Sequence, residues 1–424
     1  MNLEKKINLR INLYIYFIIF YSIFYLYTKH NVGNDSSISE WLINYQGGFT
    51  RRGLGGEINF FLQKIFDLPL RKTIFFTQSF FHFIYLILLL NYLKNYQFNI
   101  IQLFALFTPI FLIYPIAEIE VLGRKEMLLY VFFISTVYLC SKKFSNNLLN
   151  TFICITFPVI VLIWEQVVLY APYFVILIII KNDLQTFSNV FKKTLLIFTP
   201  SLIVFFLIFI YPLSNHGHQQ MCEYLNITYG EQCYMSASLL VTNTIYFDTF
   251  QTVHENASIE NYLRYLLIFL IGFGPLNYLV FTNSFKQKNN YLTKNFKLYQ
   301  IHIILLVPVI LLFLFGYDWG RWINISYTFS VILYLFFLKS DLITNFLIIN
   351  NFLLRKIFNK QKILFLVFFF FSFFWNPKTV ITGDIATNSL YKIIYNSTKL
   401  IFNHDGIRLF QDNPIIKFHK KYIE

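Results

Sequence analysis

Charge is scarce in this sequence: Asp, Glu, Lys and Arg supply 13% of 424 residues, and the acids are outnumbered 21 to 35. A soluble domain carries roughly 25%, so a freely dissolved globular fold is excluded. Glycine, with 15 residues, and alanine are also thin, while Phe, Tyr, Ile, Asn and Lys abound. That bias fits AT-rich coding, and the aromatic abundance carries no functional reading. There is no G-x-x-x-x-G-K-[ST], no G-x-G-x-x-G, no H-E-x-x-H and no G-x-S-x-G. A P-loop ATPase, a Rossmann enzyme, a zincin and an α/β-hydrolase elbow are therefore unsupported.

Cysteine is equally sparse, at 4 residues. Cys140 and Cys154 sit in or beside apolar runs and read as packing residues. Cys222 and Cys233 share one polar loop; they form either a disulfide, which needs an oxidising compartment, or two unpaired thiols. His216, His218 and His254 are too loosely spaced to predict a metal site, and His302 reads as a satisfied core residue. No metal and no cofactor is expected.

What the chain does have is long apolar runs. A spanning helix needs about 20 mostly apolar residues, and runs of that kind lie near 11–28, 73–92, 99–116, 126–141, 148–164, 166–181, 194–212, 262–282, 298–316, 322–339 and 363–376. They predict an all-α, polytopic integral membrane protein of about eleven transmembrane helices, a single transmembrane domain over 1–424. The fifth and sixth runs, interrupted by Pro158, Trp164, Glu165, Gln166 and Pro172, predict a tight helical hairpin with Glu165 at its apex. The first run follows Lys5, Lys6 and Arg10 and lacks a small-residue cleavage site, so it reads as a retained anchor.

The net charge of +14 could suggest nucleic acid. However, Lys and Arg are scattered in short loops between the apolar runs, the pattern that orients helices in a membrane. No nucleic-acid partner is expected. With Met1 inside, the inner loops hold Lys94, Lys142, Lys143, Lys181, Lys192, Lys193, Lys286, Lys288, Lys294, Lys297, Lys339, Arg355, Lys356, Lys360 and Lys362. Asp183 and Asp341 are the exceptional acids there. The rule therefore predicts a cytoplasmic N-terminus. The outer segments are then 29–72, which includes an interfacial amphipathic stretch at 58–66, 213–261, and a C-terminal tail at 377–424.

The outer segment 29–72 and the outer ends of the apolar runs carry mixed-sign clusters at the edge of hydrocarbon. Charge there is costly, so such clusters are functional-site hypotheses by default. In Gly47–Glu57, two glycine pairs flank Arg51 and Arg52, and Glu57 follows. Glycines permit close backbone approach, and paired arginines suit a pyrophosphate or phosphodiester. The second cluster holds Glu118, Glu120, Arg124, Lys125 and Glu126; Glu120 and Arg124 would share a face if helical. The third is Tyr317–Trp322, with Asp318 and Arg321 at one level and Trp319 and Trp322 as platforms for sugar rings. Glu165 stands alone between Trp164 and Gln166. It is either an acid–base group with a raised pKa or a partner for an outer arginine.

An outer cavity lined by arginines and carboxylates, without nucleotide motifs, fits a lipid-linked phosphate donor. Arg51, Arg52, Arg124 and Arg321, with Lys125 beside them, would neutralise a polyprenyl phosphate or pyrophosphate leaving group. Glu57, Glu118, Glu120 or Asp318 would deprotonate the acceptor hydroxyl. In topology and in Gly47–Glu57, Gly123–Glu126 and Asp318–Trp322 together, the chain resembles the polytopic GT-C-type glycosyltransferases, including Wzy-type O-antigen polymerases.

The resemblance implies an inverting, metal-independent repeat-unit polymerase of cell-envelope polysaccharide synthesis, in a bacterial inner (plasma) membrane with its active face periplasmic or extracellular. Its partners would be a polyprenyl-linked glycan, membrane lipid and envelope-polysaccharide assembly proteins. GT-C enzymes that use polyprenyl-phosphate sugars often have paired acids in the first outer loop, whereas here Asp35, Glu40 and Glu57 are separated. Such a transferase, or a lipid-linked oligosaccharide flippase or transporter, is the alternative.

Overall fold

The structure is a computed structural model that describes residues 3–31, 36–94, 96–141, 143–233, 237, 240, 255, 257–314, 316–345, 361–381 and 388–402. Much of the expected outer loop 213–261, His254 included, and the chain beyond residue 402 lie outside the described residues. The helices run in order: α1 Leu3–Lys29, α2 Ser36–Leu42, α3 Leu54–Phe66, α4 Leu70–Leu93, α5 Ile100–Leu106, α6 Tyr114–Ala117, α7 Ile119–Leu122, α8 Glu126–Cys140 and α9 Asn146–Ile163. A 3-10 turn, Glu165–Tyr170, leads to α10 Ala171–Lys181, α11 Phe187–Ile210 and α12 Asn215–Tyr229. Then come α13 Ile259–Thr282, α14 Tyr291–Asn295, α15 Leu298–Leu314, α16 Trp319–Lys339, α17 Gln361–Phe373 and α18 Ser389–Phe402.

Six of these helices, in α1, α4, α9, α11, α13 and α16, are long and apolar enough to cross a membrane. Three further expected crossings are shorter apolar helices: α8, α15 and 362–373 of α17. The last two expected crossings are broken. The run 99–116 is helical to Leu106 and again only from Tyr114, because Pro109 disfavours the helical conformation at Thr108. The run 166–181 is helical only from Ala171, with Pro172 in its first turn, where a missing N–H is harmless.

The helical hairpin at Glu165 is present. Trp164 is extended and ends α9, and Asn150 and Asn182, near the far ends of α9 and α10, exchange side-chain amide bonds at 3.0 Å.

Burial separates two kinds of helix. In α16, 89% of the apolar window is buried, against 22% in α11. Apolar all round but threaded with Asn324, Ser326, Thr328 and Ser330, α16 is a central helix; α11 instead turns Leu196, Phe206 and Ile210 outward. With α13 and α15 also showing Leu263, Leu267, Ile303 and Val307, the outer surface is apolar on the scale that lipid, not water, covers. Phe133 of α8 stacks on Phe329 of α16 at 4.1 Å, and Tyr173 and Phe174 of α10 close round them.

Non-helical backbone at 107–113 would leave polar groups unpaired in an apolar interior. Asn324 answers this: its amide donates to the carbonyls of Ile110 and Phe111, at 2.8 and 3.1 Å, and accepts from the Tyr130 hydroxyl at 2.8 Å. Tyr327 donates to the Ala105 carbonyl at 2.7 Å.

Lys142, Arg355, Lys356 and Lys360 lie outside the described residues, and among the described ones the two charge sets segregate. The Lys-rich loops touch one another: Lys181 with the Ser141 carbonyl, Lys294 with Gln185, Lys286 with Asp341, and Lys339 over Tyr92. α8 and α16 begin at the mixed-charge clusters, at Glu126 and Arg321, and end at those loops.

Asn324→Leu orphans two buried carbonyls and a hydroxyl while keeping volume. Each orphaned group costs about 1–3 kcal/mol, so thermal unfolding of the purified protein should drop markedly, whereas Ser330→Ala, which removes one bond to Tyr173, should change it far less. Equal stability in the two variants would show that Asn324 does not hold the break.

Candidate functional site

The Gly47–Glu57 segment is a built turn. The Asn44 side chain accepts from the Gln46 amide at 2.9 Å. Gly48 takes φ +112°, a conformation L side chains rarely adopt. A Cβ on Gly47 would lie 1.8 Å from the Gly217 carbonyl oxygen, so α12 packs directly on this backbone. Glu57 closes the turn by accepting from the Tyr45 amide at 2.8 Å and the Gln46 side chain at 3.1 Å. Arg52 itself has φ +64°, sparsely populated for a non-glycine residue and a form of local strain found at functional sites. This conformation accompanies a 2.9 Å bond from Lys125 Nζ to the Arg52 carbonyl.

Arg52 reaches across 113 residues to Glu165. Its Nε and Nη2 donate to both carboxylate oxygens, the closest contacts being 2.9 and 2.7 Å, and Arg51 Nη1 lies 3.6 Å from Glu165 Oε1. Glu40, in α2, is the hub. Its Oε1 is paired with Arg124 and lies 3.9 Å from Arg321 Nη1 and 4.0 Å from Arg52 Nη1. Arg321 also pairs with Glu126, and with Asp318 Oδ2 at 2.6 Å. The Trp164 ring lies 6.0 Å from the Arg321 guanidinium, and the Trp41 ring 5.9 Å from Lys125 Nζ. Trp41 Nε1 fixes the 123–126 turn by donating to the Gly123 carbonyl at 2.7 Å.

Glu40, Arg51, Arg52, Arg124, Lys125, Glu126, Glu165, Asp318 and Arg321 therefore form one cluster, assembled from five separate stretches of chain. It is not uniformly buried: the side chains of Glu40 and Arg321 are 3% and 4% exposed, those of Arg51 and Arg52 16%, and that of Asp318 26%. The arginine pair and Asp318 thus form an accessible margin over a dry interior.

Burial alone would raise the Glu165 carboxyl, but Arg52 and Arg51 more than offset it and hold it at about 2. Burial likewise opposes ionisation of Glu40, and Arg124, Arg321, Arg52 and Lys125 bring it to about 2. Burial pulls the Lys125 ammonium down to about 7, opposed by Glu40.

The other expected residues are placed as follows. Of its two readings, Glu165 takes that of an arginine partner, with its carboxyl lowered by Arg52. Glu57 clasps its own turn. Glu118 anchors the C-terminal segment, pairing with Lys392 and accepting from Asn376 and Thr379 at 3.0 and 3.2 Å. Glu120 is exposed; α7 ends at Leu122, so it shares no helix face with Arg124. Trp319 and Trp322 are buried. They pack on Phe313 and, for Trp319, on Tyr262 and Tyr265, which leaves no open face for a sugar.

Cys222 and Cys233 are joined, with sulfurs 2.05 Å apart. The His218 ring lies 3.5 Å from Cys222 Sγ, and the trio would make a candidate metal group, but the bond between the sulfurs leaves no thiolate to offer one. His302 is buried beside Asn277 at 3.1 Å. Missed as a site residue by sequence was Glu40, whose one signal is an acid between Ser39 and Trp41 in a short serine-rich helix.

No protein-family model matches the chain, and comparison with curated proteins and with solved structures finds no match to it. The fold and cluster place it among all-helical proteins equipped with several helices apolar enough to span a membrane.

The Glu165 carboxyl sits below its ordinary value of 4.5, so between about 4.5 and 2 the unfolded chain binds more protons than the folded one. The stability from this pair is fully present above about 4.5 and is lost as pH falls toward 2. Acid titration of the unfolding temperature should show that loss in the wild type and a shallower one in Glu165→Gln. Identical profiles would detach Glu165 from the acid response.

Proposed function

We propose that this chain is a membrane glycosyltransferase of cell-envelope polysaccharide synthesis that moves glycan from a polyprenyl-(pyro)phosphate carrier, most specifically a repeat-unit polymerase. The observation that carries the reading is the convergence of Arg52, Arg124 and Arg321, from three distant segments, within 4.0 Å of one carboxylate oxygen at an end of an apolar bundle. Arginine takes phosphate oxygens through paired donors, and the accessible members, Arg51 and Arg52, lie where a headgroup would arrive while its lipid tail stays in hydrocarbon.

In this reading the acceptor hydroxyl oxygen attacks the anomeric carbon of the donor sugar. The bond from that carbon to the phosphate oxygen breaks, and its electron pair leaves on the pyrophosphate, held by the arginines. Asp318, the most exposed carboxylate of the cluster, accepts the hydroxyl proton. Charge stabilisation on the leaving group is the larger electrostatic effect, and general-base help contributes about 10²–10⁴-fold. The abundance of lysine in the opposite loops supports an outward-facing site on a bacterial plasma membrane. Envelope-assembly proteins would supply and remove the glycan.

Purified protein in lipid nanodiscs, given polyprenyl-pyrophosphate-linked repeat units and no nucleotide, should lengthen the glycan, read as a ladder on a gel. Arg52→Ala and Asp318→Asn should each reduce elongation at least about 100-fold, with insertion and abundance unchanged. Full elongation by both variants would remove the site. Lipid movement across the bilayer without a new glycosidic bond would instead indicate a flippase.

A further inference from the structure

Glu40 is the carboxylate on which three guanidinium groups converge, and like Glu126 it leaves one oxygen without a hydrogen-bond partner among the described residues. Both oxygens of Glu165 are taken by Arg52, and both oxygens of Glu118 accept bonds. Glu40 is buried, yet one oxygen collects three guanidinium groups while the other, Oε2, has no hydrogen-bond partner among the described residues. Arg124 Nε, on the guanidinium paired with Glu40, is likewise unpartnered. A buried carboxylate has room for about four donors, and unpaired polar atoms in a dry site are costly. Arg52 Nη1 and Arg321 Nη1, at 4.0 and 3.9 Å, stand beyond hydrogen-bond range of Oε1. With Arg124 Nε, the guanidinium groups therefore hold donor capacity that Glu40 does not use, as a cradle for an anion with more oxygens would.

We infer that Glu40 is an internal stand-in for the substrate's phosphate: it occupies the cradle of Arg52, Arg124 and Arg321 while the site is empty, and yields them to a phosphate oxygen on binding. The inference rests on the phosphate-carrier reading above and names Glu40 as a positioning residue within it.

Charge counting gives the direction of the effect. Around the cluster, Arg51, Arg52, Arg124 and Arg321 face Glu40, Glu126, Glu165 and Asp318. Neutralising Glu40 leaves the guanidinium groups in surplus and removes the competitor from the cradle. A residue that merely braced the fold would have the opposite signature, since its loss would scatter the arginines and weaken anion binding.

The test is calorimetric titration of the full-length protein in detergent with inorganic pyrophosphate and, separately, with farnesyl pyrophosphate, comparing wild type, Glu40→Gln and Glu40→Asp. Glu40→Gln should bind both ligands at least tenfold more tightly. Glu40→Asp, which keeps the charge but draws it back, should gain at least threefold; it decides the matter if Glu40→Gln does not fold. The gain should be the same for both ligands, because the cradle takes phosphate and not the tail, while their absolute affinities tell a lipid-borne ligand from a soluble one. Binding left unchanged or weakened in the folded variants overturns the role of Glu40 and leaves the phosphate reading standing. No binding by any of the three proteins overturns both.

Discussion

An ion moved from water into a medium as apolar as this bundle loses several kcal/mol of solvation even after relaxation. The cluster at Glu40 answers that constraint, and the architecture of one end of the molecule depends on it. Each buried charge needs its partner in place, so α2, the 47–53 turn, the 123–126 turn, the Trp164–Glu165 apex and the start of α16 cannot settle independently. Removing one member of such a set strands the others, at about 3–5 kcal/mol. The left-handed backbone of Arg52 fits this account: a locally unfavourable conformation persists when surrounding contacts over-determine it, and here Glu165 and Lys125 grip the same residue at its side chain and its carbonyl.

The ionic end is tied to the apolar body by two helices. α8 begins with Glu126 and α16 carries Arg321 in its first turn; the two pair there and then stack through Phe133 and Phe329 before reaching the lysine loops. Because α16 is buried on nearly every side, its polar residues serve neighbours and not solvent. Asn324 holds the backbone break at Ile110–Phe111. The C-terminal segment completes the same region: Gly320 donates to the Thr379 carbonyl at 3.1 Å, and a Cβ at Gly320 would lie 2.0 Å from the Lys378 carbonyl oxygen.

The sequence made the helical class, the two families of loops and most of the cluster legible, because charge in an apolar chain is rare enough to stand out. It was less informative about number and pairing. Hydropathy counts 99–116 as a crossing, since Thr108–Pro109 is a small interruption in an apolar run and the side chains that satisfy the break lie more than 200 residues away. Glu165 alone suggests a raised pKa; its true environment is set by Arg52, whose proximity is a tertiary fact. Trp319 and Trp322 look like interfacial platforms until Gly316, Phe313 and Tyr265 are packed against them. Glu40 was hidden because no neighbouring glycine or charge marks it; only folding brings three arginines to its door.

Lys125 decides the net sign of the cluster. With all four carboxylates ionised, four guanidinium groups oppose them, so with its amine neutral the set balances and with it protonated one positive charge is in excess. Burial brings that amine down to about 7, where both states are populated near neutral pH. An incoming anion favours the protonated state by ordinary Coulomb attraction at close range, and protonation in turn strengthens the hold on the anion. Lys125 can also donate to the Arg52 carbonyl in either state, so proton gain leaves the arginine turn in place. A cluster built this way stays compatible with a dry interior when empty, yet can offer a surplus positive charge when an anion arrives.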